Sequence, residues 1–128
     1  MENKNLLANS KDYKRKNAYK IYQTEINKTI KGLDKSNDTN KFLNDIYKIV
    51  EIYFINKFFI DSVDFTYIKI IEKISLQDSS KALLKDFFDT ISFARFVNMK
   101  LNKIEVVNMI DKINLVIKEV DNDWIATT

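Results

Sequence analysis

The sequence predicts an all-α fold, a compact bundle of about five helices. Three observations carry the prediction. Pro is absent and Gly occurs once, at Gly32, so the tight turns of a hairpin-rich β fold have almost no residues to build them. Apolar residues recur at helical spacing in five segments separated by short polar stretches. The chain is 45% hydrophobic over 128 residues, with nine Phe, six Tyr and one Trp. That is enough apolar and aromatic surface for one core in one domain.

The first helix is expected from about Ser10 to Lys31, with Ala18, Ile21, Tyr22, Ile26 and Ile30 as its apolar stripe and Lys and Arg elsewhere. Gly32 follows the last periodic residue, where a helix often closes on a left-handed residue, and residues 34–38 read as a polar loop. The second helix opens at Asp38 or Thr39, either of which can cap it, and runs through Phe42, Leu43, Ile46, Tyr47, Ile49, Val50, Tyr53, Phe54 and Phe58. The run Ile49 to Ile60 also has strand composition, but its polar interruptions at Lys48, Glu51, Asn56 and Lys57 do not alternate, so helix is preferred. Apolar on more than one face, this helix belongs at the centre of the bundle.

After the turn at 61–64, Asp64 or Thr66 caps a short third helix carrying Tyr67, Ile68, Ile71 and Ile74. A fourth starts at the polar stretch 77–80, with Ala82, Leu83, Phe87, Ile91 and Ala94 inward, and ends in a connection through Asn98 and Met99. The fifth begins near Asn102. Asn102 and Glu105 have capping-box spacing, and Ile104, Val107, Met109, Ile110, Ile113, Val116, Ile117 and Val120 form its stripe. Residues 1–9 are read as a disordered arm, 10–124 as one helical domain and 125–128 as a tail.

Composition removes several chemistries. There is no Cys, hence no disulfide, thiolate metal site or cysteine nucleophile. There is no His, the usual neutral-pH acid–base and the commonest metal ligand. A single Gly rules out the glycine-rich phosphate loops of P-loop and Rossmann folds. The carboxylate pairs Asp86/Asp89 and Asp121/Asp123 read as solvated helix residues, not as a buried acid–base pair. The EF-hand pattern is missing. No catalytic residue, cofactor or metal site is expected. The aromatic stripe Tyr47, Tyr53, Phe54, Phe58 and Phe59 reads as core before it reads as a ligand pocket. The stretch Ile46 to Ile60 is broken by charge and falls short of the roughly 20 apolar residues a membrane span needs.

Charge is distributed unevenly. Residues 1–35 hold nine Lys/Arg against four Asp/Glu, a net of +5; residues 36–128 hold twelve against fourteen, a net of −2. Lys11, Lys14, Arg15, Lys16 and Lys20 cluster within about three helical turns. Such a cluster suits the phosphates of an anionic membrane or of nucleic acid, or is simply a solvated helix start. Arg95, set between Phe93 and Phe96, is a charge in an apolar stretch. It is expected to pair with a carboxylate or cap the end of the fourth helix, with a partner contact as the alternative.

Several segments together resemble a family. These are the basic start from Leu6 to Lys16, Asn40 to Ile46 opening the second helix, Asp64 to Ile68 opening the third, and Phe87 to Phe96 closing the fourth, with Ala94-Arg95-Phe96 the most specific piece. From Leu6 to Val120 the chain resembles the C-terminal cytoplasmic region of the BatD family, membrane proteins of bacterial aerotolerance (Bat) operons. Family members often have Pro after the Arg-Phe segment, where this chain has Val97-Asn98.

The resemblance implies a domain cut from a longer protein with a signal peptide, extracytoplasmic β-rich domains and one transmembrane helix. Its basic arm would lie just inside the bacterial inner membrane, on the cytoplasmic face, as the positive-inside rule expects. It further implies a link to oxidative-stress tolerance and envelope integrity. The implied role is a non-catalytic scaffold whose candidate partners are von Willebrand A-domain membrane proteins and a MoxR-type AAA+ ATPase. The alternative is a small helical nucleic-acid-binding or regulatory protein that uses the basic first helix. An enzyme of carboxylate chemistry would require a buried acidic group in a pocket.

Overall fold

The computed structural model describes residues 11–33, 39–97 and 101–127, with side chains for 12–33, 39–96 and 101–122. The expectations for the 1–9 arm, the 34–38 loop with its Asp38 cap, the 98–99 connection and the Lys11 and Asp123 side chains lie outside these. Five α-helices run through the described residues: α1 Lys11–Leu33, α2 Thr39–Phe58, α3 Tyr67–Lys73, α4 Asp78–Val97 and α5 Lys103–Thr127, with a 3-10 turn Ser62–Asp64 before α3. No strand occurs among them. The fold is the expected all-α bundle.

Contacts fix the topology. Gly32 lies against Phe42, Tyr22 against Tyr53, and Arg15 against Phe59. The end of α1 therefore meets the start of α2, and α1/α2 form an antiparallel hairpin. Ser80 bonds Glu119 and Asp86 pairs with Lys112, so α4/α5 form a second. Helix α2 touches α1, α4 and α5, the central position its two apolar faces call for. The core runs through Ile46, Val50 and Phe54 of α2, Ile70 of α3, Leu84 and Phe87 of α4, and Val106, Ile113 and Ile117 of α5. Phe65, between the 3-10 turn and α3, joins the layers. Its ring lies 5.2 Å from Tyr47, 5.8 Å from Phe54 and 5.1 Å from Phe88, within the range where aromatic pairs add to plain burial.

Two of the caps named by the sequence are present, whereas Thr39, the alternative to Asp38 for α2, is corrected: its buried Oγ1 makes no hydrogen bond among the described residues. Thr66 Oγ1 accepts from the Lys69 amide at 3.3 Å at the start of α3. At α5, the Glu105 amide donates to Asn102 Oδ1 at 2.8 Å while the Asn102 amide donates to Glu105 Oε1 at 3.3 Å, a complete capping box.

Several expectations are corrected. Gly32 is helical and ends nothing: α1 continues to Leu33, which is buried, and Gly32 has no positive φ. It packs beside Phe42, whose Cε1 would lie 3.4 Å from an added Cβ, an ordinary contact distance. Most positions of the four stripes are inward as expected, but single ones differ. Ala82 is exposed and Leu84 is buried beside the partly buried Leu83, Ile104 and Val107 are exposed and Val106 is buried, Ile68 is exposed and Ile70 is buried, and Ile30 is exposed and Leu33 is buried. Adjacent residues on a helix point about 100° apart, so a run of apolar side chains leaves the inward one to be chosen by the neighbouring helix. Phe59 is a further correction. It is 43% exposed, not core, and has φ 56°, a strained conformation for a bulky residue that costs about 1–3 kcal/mol. Its amide still bonds Ile55 O at 3.0 Å. The chain then leaves α2 so that Ile60 is fully buried.

Candidate functional site

The basic cluster all falls on the first half of α1, whose described span Lys11–Leu33 carries seven Lys/Arg and two Asp/Glu, a net of +5. The helix divides the cluster in two. Lys16 and Lys20 are exposed and share the outer face with Tyr13, three and seven residues earlier, which is itself 44% exposed. Lys14 and Arg15 turn instead toward the end of α2. The Arg15 guanidinium carbon sits 4.9 Å over the Phe59 ring, a cation–π distance. Lys14 shares an open cleft of about 220 Å³ with Ile55, Asn56, Phe59, Ile60 and Asp61. One sequence cluster therefore becomes an outward basic face and a packed basic–aromatic edge.

Arg95 sits on the side of α4 that meets α2. Its guanidinium carbon lies 4.6 Å over the Tyr47 ring, and Nη2 donates to Asn44 Oδ1 at 3.2 Å. The expected carboxylate partner or helix cap is thus replaced, among the described residues, by an aromatic face and an amide on α2. Burial raises the Tyr47 pKa, Glu51 adds to the rise, and Arg95 opposes it. With Arg95 and the buried Ala94 holding the end of α4 inward, Phe93 and Phe96 are left pointing out, 52% and 90% exposed. They are three residues apart and share a face.

A buried polar chain links the two hairpins, and sequence reading missed it. The Tyr22 hydroxyl donates to Asn114 Oδ1 at 2.6 Å; the Tyr22 and Tyr53 rings meet at 5.8 Å; the Tyr53 hydroxyl donates to Asp121 Oδ1 at 2.9 Å; and Lys57 Nζ lies 3.2 Å from the same oxygen. Lys57 is 5% and Asp121 8% exposed, which corrects the reading of Asp121 as solvated. Burial pushes the Tyr22 hydroxyl well above the usual tyrosine range, with Tyr19 adding to it. Burial does the same for Tyr53, helped by the charge of Asp121. The available signal was phase: Lys57 falls three and four residues after the buried Phe54 and Tyr53, and Asp121 four after Ile117. The other expected pair behaves as read, with Asp86 and Asp89 exposed and facing Lys112 at 3.6 Å and Lys85 at 3.3 Å.

A second open cleft of about 210 Å³ lies between α4 and α5, floored by Phe87, Leu101 and Met109 and rimmed by Asp86, Glu105, Asn108 and Lys112. Glu119 accepts from the Gln77 amide at 3.3 Å and from the Ser80 hydroxyl, so a carboxylate of α5 closes the positive end of α4. Among the described residues no three carboxylates converge in the manner of a metal site, and no helix is long and apolar enough to cross a membrane. The arrangement offers an anion-attracting face on α1 and an aromatic face at the end of α4. Set against protein-family models, curated proteins and solved structures, the chain matches none of them.

Proposed function

We propose that this chain is a non-catalytic protein-interaction domain, the cytoplasmic part of a membrane-anchored Bat-family protein of the BatD type, acting in stress tolerance and envelope integrity through contacts and not through chemistry. One observation carries the reading: Phe96 is 90% exposed on a helix end that Arg95 clamps to α2. Exposing a large ring is unfavourable, and aromatic side chains that stay outside a core are the residues that anchor protein interfaces. The same segment, Ala94-Arg95-Phe96, is the most specific part of the resemblance to the BatD family. That resemblance supplies the candidate partners, von Willebrand A-domain membrane proteins and a MoxR-type AAA+ ATPase.

The test is capture from the native membrane fraction with the wild-type chain and with Phe93→Ser/Phe96→Ser as paired baits. Recovery of a von Willebrand A-domain protein or a MoxR-type ATPase by the wild type, and its loss with the variant, supports the reading. With the purified partner, Phe96→Ala weakens binding by more than about tenfold, as expected of an aromatic anchor. The melting temperature stays unchanged, because an exposed ring contributes little to the fold. Equal capture by the variant overturns the reading, and so does recovery of nucleic acid in place of those proteins.

A further inference from the structure

We propose that α1 docks the bundle onto an anionic lipid surface, laying its Tyr13–Lys16–Lys20 face on the headgroups. Charge complementarity carries the inference. Helix α1 has a net charge of +5, while residues 36–128 carry −2, so positive charge is concentrated on α1. Lys16 and Lys20 are exposed on its outer face, and Asp12 lies one turn before Lys16.

Tyr13, 44% exposed, shares this outer face with Lys16 and Lys20. Lysines reaching outward beside half-exposed aromatic rings form the residue set that settles at a membrane–water interface: the rings sit at headgroup level and the long cations extend along them to the phosphates. A nucleic-acid strand fits the face less well, because the face pairs its two lysines with one exposed ring, Tyr13, where strand binding stacks successive bases on several rings.

The inference uses only the charges and exposure of this chain, on residues separate from Phe93 and Phe96. A failure here and a failure of the protein-contact reading are therefore told apart by which variants lose what. The experiment is co-sedimentation of the full chain with vesicles of phosphatidylcholine alone and of phosphatidylcholine mixed equally with phosphatidylglycerol, at about 0.1 M salt, where exposed charges act over about 10 Å. Binding is expected to the mixed vesicles only, and to fall as salt rises. Each neutralised surface lysine is expected to cost about fivefold, and Lys16→Gln/Lys20→Gln together about 25-fold. Tyr13→Ala is expected to weaken binding without altering its salt dependence, with circular dichroism confirming that each variant is folded. No binding to the mixed vesicles, equal binding to both vesicle types, or a Lys16→Gln/Lys20→Gln variant that binds like wild type overturns the proposal. Tighter binding to duplex DNA than to the mixed vesicles at the same salt also overturns it and assigns the face to nucleic acid.

Discussion

Lys57 and Asp121 meet 3.2 Å apart in the interior, their side chains 7% and 12% exposed, with the Tyr53 hydroxyl on the same carboxylate oxygen. A buried ion pair gives little net stability over apolar side chains of similar size, but removing one partner strands the other. Lys57→Met is therefore expected to cost about 3–5 kcal/mol, read as a lower denaturant midpoint at unchanged slope. Lys57→Met/Asp121→Asn should recover part of that loss, since the amide oxygen of Asn still accepts from Tyr53 and the buried carboxylate charge is gone. In a double-mutant cycle the two sites should couple by at least about 1 kcal/mol; simple additivity would show that the pair is solvated. At this scale sequence is a poor guide, for a definite reason. A charged residue is read as outward because most are, and only the position of Lys57 and Asp121 within their apolar stripes hints otherwise. The exposed ends of the site were easier to see: Lys16, Lys20 and the odd position of Arg95 stand out by composition, although the partner of Arg95 does not, because Tyr47 and Asn44 lie about 50 residues away.

Helices were legible where the signal is local and illegible where a neighbour decides. The capping box at Asn102 and Glu105 needs only four consecutive residues, and it is present as read. The inward choice between Leu83 and Leu84, or between Val106 and Val107, depends on where the facing helix lies, which periodicity within one helix does not contain. Gly32 combines both problems. A lone Gly after a periodic stretch reads as a C-terminal stop, yet α1 passes through it to bury Leu33 against the bundle. The two readings predict opposite outcomes for Gly32→Ala. At a left-handed helix end, Ala would be strained and destabilising. In the helical conformation observed, Ala gains about 0.5–1 kcal/mol over Gly, and the added methyl meets Phe42 Cε1 at 3.4 Å, an ordinary packing distance. Thermal unfolding of Gly32→Ala is expected to show a small rise in melting temperature, and a fall would return Gly32 to the role of terminator.

Across the whole molecule, the all-α class was legible because composition alone, with Pro absent and a single Gly, leaves little else to build, whereas the pairing of helices was not, because the contacts that set it are made between distant residues. The chain from Asn114 through Tyr22 and Tyr53 to Asp121 ties α1, α2 and α5 together, and it gives the fold a weakness at high pH. Both tyrosine hydroxyls are held protonated by burial, with folded pKa values well above the unfolded value of 10.0. The sign follows from linkage: below pH 10 both states keep the phenol proton and nothing is lost, whereas above it the unfolded chain releases the proton and the folded chain retains it. Stability therefore falls as pH rises above about 10, by about 1.4 kcal/mol per pH unit for each buried tyrosine. Tyr22→Phe removes one ionisable hydroxyl while keeping its ring. Its denaturant-derived stability between about pH 10.5 and 11.5 is expected to fall less steeply than that of wild type by about 1.4 kcal/mol per unit, even though the variant is less stable at neutral pH because Asn114 loses its donor. Parallel slopes would mean that Tyr22 ionises as freely in the folded bundle as in the unfolded chain. In that case the seam between α1 and α5 admits water and the hairpins are not locked there.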